Sequence, residues 1–105
     1  MDPTAEFNQR QYRLIAARIQ LFEEGDLPFA SLGVELLCLA EVLELPDPAW
    51  SRNFLGRCRD LQDEWAIADH ERRTITFANA DRRILAALAE MKALVQQKLA
   101  APPQD

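Results

Sequence analysis

The feature that most constrains the fold is an apolar stripe recurring every three or four residues through the middle of the chain: Trp50, Phe54, Cys58, Leu61, Trp65 and Ala68. At 3.6 residues per turn such side chains share one face of an α-helix, whereas a half-buried strand would need strict alternation. The stripe predicts a helix starting at Asp47-Pro48, where Asp47 can accept from exposed backbone N–H groups and Pro48 suits the first turn, and running to about Asp69. Both tryptophans are then expected to point inward.

Three further stripes repeat the pattern. The first, Tyr12, Ile15, Ile19 and Phe22, starts at Asp2 or Pro3 and stops at Gly25. The second, Phe29, Leu32, Leu36, Leu39 and Leu43, opens around Asp26 to Pro28. Val34, Leu37, Cys38 and Val42 widen it to most of the helix circumference, which suits a central helix or one that also faces a partner. The last, Ile84, Leu88, Met91, Val95 and Leu99, is broadened by Leu85 and Ala89, has Asn79 as its expected cap and Pro102-Pro103 as its stop, and leaves residues 101–105 frayed. Only Arg72 to Ala78 hints at extended structure. Short connections join antiparallel neighbours, so the reading is an all-α, four-helix up-down bundle forming one domain over residues 1–105.

Composition narrows the function. Uninterrupted apolar runs such as Leu36 to Ala40 are far too short to cross a bilayer, and MDPTAEFNQR has an acid and a proline where a secretory leader would have basic and apolar regions. A cytoplasmic location, away from membrane, is the expectation. Cys38 and Cys58 lie twenty positions apart without a CxxC motif, and are expected as buried reduced thiols, with a disulfide or a reactive thiol as the alternatives. A net charge of -5 argues against direct binding of nucleic acid, which needs clustered bases.

Catalytic and metal chemistry find little to work with. His70 is the sole histidine, and in Asp69-His70-Glu71 neighbouring side chains on a helix diverge by about 100°, so the triplet reads as a solvated helix end. The inward positions are aliphatic or aromatic, unlike those of a di-metal bundle. Three isolated glycines exclude a phosphate loop; Gly33 and Gly56, inside helix readings, mark either close helix packing or flat spots on a binding face. The pairs Arg72-Arg73 and Arg82-Arg83 read as an anion clamp or, more simply, as partners of nearby acids. No cofactor and no enzymatic activity are expected.

The acids are the sharper feature. Between Glu35 and Glu71 the chain carries Glu35, Glu41, Glu44, Asp47, Asp60, Asp63, Glu64, Asp69 and Glu71 against Arg52, Arg57 and Arg59. Asp60, Asp63 and Glu64 fall away from, or just flank, the Trp50 to Trp65 stripe, with Glu41 and Glu44 near the end of the second helix. Such a surface is either an ordinary solubilising face or a polyanion mimic that steers a basic protein onto itself. On the second reading Glu41, Glu44, Asp60, Asp63, Glu64 and Asp69 are the partner-binding candidates.

A family resemblance points the same way. Glu24-Gly25-Asp26-Leu27, the leucine-rich helix, Leu43, Asp47-Pro48-Ala49-Trp50, Phe54, and Leu61 with Glu64-Trp65-Ala66 resemble the small helical immunity proteins of bacterial toxin systems, those of contact-dependent growth inhibition and some colicins. The resemblance covers roughly Glu23 to Asp69. It implies a bacterial cytoplasmic inhibitor that binds a cognate toxin domain, frequently a nuclease. It carries over no contact residue, and the arginine pairs and Arg72 to Ala78 depart from it. The alternative is a helical adaptor or regulatory subunit, in which Val34, Leu37, Cys38 and Val42 serve assembly, including as a homodimer.

Overall fold

Residues 2–100 are described by a computed structural model. The side chain of Asp2 accepts from the Ala5 amide at 2.9 Å and Pro3 takes the first position, so α1 runs Pro3–Glu23. It ends in a Schellman turn: Gly25, at φ +84°, donates to the Phe22 carbonyl and Asp26 to that of Leu21. Helix α2, Phe29–Glu41, follows Pro28, which offers no side-chain cap. Asp47 caps α3, Pro48–His70, through the Ala49 amide at 3.0 Å.

α3 closes in the same way as α1, but with Arg72 at the left-handed position, φ +57°, while Arg73 donates to the Ala68 carbonyl at 2.7 Å. Helix α4, Arg82–Ala100, is capped by Asp81, whose carboxylate accepts from the Ile84 amide at 3.0 Å. Asn79, expected as that cap, instead holds the preceding connection together: its side chain accepts from the Thr76 amide and donates to the Thr74 carbonyl. That connection forms turns and no strand; the hint of extended structure came from β-branched residues serving a turn. The expected stop at Pro102-Pro103 and the frayed end lie outside the described residues.

The helices pack in a ring, each against the two beside it, with α1 closing onto α4. Side-chain ties fix the antiparallel order. Asn8 donates to the Glu44 carbonyl and accepts from the Glu44 amide, Gln9 donates to the Lys98 carbonyl, and Trp50 Nε1 donates to the Leu94 carbonyl at 2.8 Å. This is an all-α four-helix bundle. Its core takes the predicted stripes: Tyr12, Ile15, Ile19 and Phe22 of α1, Leu32 and Leu36 of α2, Phe54, Cys58 and Leu61 of α3, and Ile84, Leu88, Met91 and Val95 of α4. Trp50 stacks on Phe54 at a centroid distance of 4.9 Å and meets the edge of Tyr12 at 5.2 Å. Ile75 and Phe77 close one end, Phe77 lying 6.2 Å from Phe22.

One mismatch of length shapes the surface. At about 1.5 Å per residue, the 13 residues of α2 reach some 15 Å less far than the 23 of α3. The last turn of α3 therefore runs past the start of α2, and the loop 24–28 fills only part of the space.

Candidate functional site

Trp65 marks the surface where this mismatch is felt. Expected inside, it is 42% exposed, whereas Trp50 is 4% exposed. Across from Trp65 stand the start of α2 and two residues with little or no side chain, Ala30 and Gly33, which cannot cover an indole. The result is a groove of about 360 Å³ between α2 and α3, lined by Phe29, Ala30, Gly33 and Val34 on one side and Leu61, Gln62, Trp65 and Ala66 on the other. It continues past Trp65 into a cleft of about 530 Å³ at the bundle end, where Ile75, Leu27 and Arg73 join the lining.

The two helix glycines do not mark close packing. A Cβ placed on Gly33 or Gly56 would meet no atom within 4 Å. Gly33 is instead the floor of the groove. Val34, on its rim, is 59% exposed, and the stripe continues along α2 through exposed Cys38 and Val42 to Leu45, which is 92% exposed with a left-handed backbone. Cys38 is thus not a buried thiol. Cys58 is: burial pushes its thiol up to about 12, with the charge of Glu41 adding to the shift.

The six predicted acids do not gather into one patch. Asp60 lies 3.0 Å from Arg57 Nε, without the alignment of a hydrogen bond, while Arg57 NH1 donates to Glu90 at 2.9 Å. Glu64, expected to face away from the apolar stripe or just flank it and to meet a partner, is buried and packs toward the start of α4, where Arg83 reaches it at 3.4 Å. Burial raises its carboxyl above the ordinary value, and the neighbouring Asp81 carboxylate raises it further. Asp63 and Asp69 are exposed on α3, and Glu41 and Glu44 are exposed at the far end of α2 from Trp65. None of these four has an ion-pair partner among the described residues.

The arginine pairs split the same way. Arg73 pairs with Glu71 at 3.2 Å and Arg83 with Glu64, so each meets an acid. Arg72 holds its place through its backbone. Among the described residues no group of three His, Cys, Asp or Glu side chains is placed to hold a metal ion, and no helix is long and apolar enough to cross a membrane. His70 ends α3 exposed.

Sequence reasoning missed the groove because a period of 3.6 assigns a face to each residue but not the height of its neighbour. The signal available was the small-residue run Ala30 and Gly33 opposite an aromatic. Neither family models, nor characterised proteins, nor solved structures give a match to this chain.

Proposed function

We propose that this chain is a non-catalytic immunity protein, which neutralises a cognate bacterial toxin domain by docking it on the α2–α3 face. The observation that carries a binding role is Trp65, a large amphipathic side chain left half-open over an apolar groove on a helix pair whose remaining aromatics are packed. Tryptophan in such a setting has the area and rigidity of a binding hot spot. The toxin-neutralising part rests on the resemblance of Glu23 to Asp69 to immunity proteins. The unpaired acids Glu41, Glu44, Asp63 and Asp69 support it by supplying the field that would steer a basic toxin domain inward.

The test is growth of a laboratory bacterium expressing the reading frame adjacent to this one, with and without this chain. Rescue that is lost in Trp65→Ser and kept in Leu14→Ser, an exposed site on α1, supports the reading. A harmless neighbour, or arrest that this chain never relieves, overturns it.

A second reading, self-assembly, is favoured by the exposed stripe Val34, Cys38 and Val42. It requires a concentration-dependent dimer in sedimentation that Val42→Glu dissolves.

A further inference from the structure

On its α2 side the groove beside Trp65 is bordered by charge of one sign. From Ile19 to Ser51 the chain has no lysine, arginine or histidine and seven acids: Glu23, Glu24, Asp26, Glu35, Glu41, Glu44 and Asp47. Three of these are compensated within the bundle, Glu23 by Lys92, Glu35 by Arg18 and Asp47 by Lys98. The other four are exposed and unpaired among the described residues, and they bracket α2: Glu24 and Asp26 before its start, Glu41 and Glu44 at and beyond its end. The groove over Phe29 to Val34, together with the exposed apolar stripe Val34, Cys38 and Val42 that continues it along α2, thus runs between two acidic ends over about 20 Å, the length of a 13-residue helix. The opposite rim of the groove, Gln62 and Ala66 of α3, is uncharged, and Arg73 in the adjoining cleft is paired with Glu71.

We propose that this groove takes a basic amphipathic helix of a partner protein, its apolar ridge seated over Gly33 and against Trp65 and its lysines or arginines reaching Glu24, Asp26, Glu41 and Glu44. The guest is a helix because the described residues offer no strand edge to which an extended peptide could add. Its own backbone hydrogen bonds must therefore be closed. It is basic because the four acids have no ion-pair partner among the described residues. A second copy of this chain fits poorly, since α2 against α2 would bring acid to acid. This deepens the immunity reading by naming the element of the partner that is bound, and rests on that reading only for which protein carries it.

The probe is a synthetic 18-residue helical peptide with leucines at i, i+3, i+4 and i+7 and lysines flanking the ridge, compared with a twin carrying glutamates in place of the lysines. Binding to the intact chain is read by tryptophan fluorescence, to which buried Trp50 contributes a constant background. The basic peptide is expected to shift the Trp65 emission and to bind about tenfold or more tighter than its acidic twin at low salt, with the advantage shrinking as salt rises. Charge reversal of Glu24, Asp26, Glu41 and Glu44 to lysine is expected to invert that preference with helix content unchanged by circular dichroism. Equal binding of the two peptides, no shift with either, or a concentration-dependent dimer that hides Trp65 would each overturn the proposal. Growth rescue that depends on Trp65 while no basic peptide binds would sink this inference alone. Peptide binding beside a harmless neighbouring frame would instead sink the immunity reading alone.

Discussion

The indole Nε1 of Trp50 donates to the Leu94 carbonyl at 2.8 Å, so the start of α3 is tied to the end of α4 by a side chain that also stacks on Phe54. Replacing Trp50 with alanine removes a buried aromatic and this tie between the helices, at an expected cost of about 3 to 5 kcal/mol. Trp65→Ala, at a half-exposed site, is expected to cost about 1 kcal/mol. Urea denaturation of the two variants checks the contrast, and equal losses would mean that Trp65 is a core residue.

Glu64 gives the stability a pH dependence. Its folded-state carboxyl is raised by burial and by Asp81, so the native state holds that proton more tightly than the unfolded chain does. Its contribution is therefore greatest below the ordinary carboxyl value and is lost as pH rises through the raised one. Glu64→Gln is expected to melt higher than the parent at about pH 7 and to match it near pH 4. Thermal melts across that range test it; a lower melting temperature at neutral pH would show that the contact with Arg83 outweighs the burial.

Arg72 occupies the left-handed position of the turn that ends α3, a place where glycine carries no Cβ penalty. Arg72→Gly is expected to stabilise the fold by about 1 kcal/mol. A loss of stability in the same denaturation experiment would assign the arginine side chain a structural contact of its own.

Gly33→Ala should raise helix stability by up to about 1 kcal/mol, since the new methyl enters open space. The same methyl projects into the groove. Binding of the basic peptide is expected to weaken while the melting temperature rises, a combination that loss of folding could not produce.

The thiols should separate cleanly. Cys38 is exposed and should react with a maleimide in the native state, whereas Cys58, buried and held up to about 12, should react only after unfolding. Mass spectrometry of the labelled chain counts them; two labels under native conditions would show that the core opens around Cys58.

The number, order and inward faces of the helices were legible in the chain because they depend on local quantities: a 3.6-residue period, Asp-Pro starts at Asp2 and Asp47, and a left-handed stop at Gly25. What only the tertiary structure decided is which side chains on those faces have something standing over them. Trp50 and Trp65 belong to one stripe, yet Tyr12 and α4 cover the first, while Ala30 and Gly33 leave the second open. Glu64 sits at the stripe's edge, and the arrival of α4 turned that edge into an interior. Cys38 lies on a helix apolar almost all round, and only the placing of α1 and α3 against α2 left its side facing out. Burial is a property of two surfaces brought together, and the period of one helix specifies only the first of them.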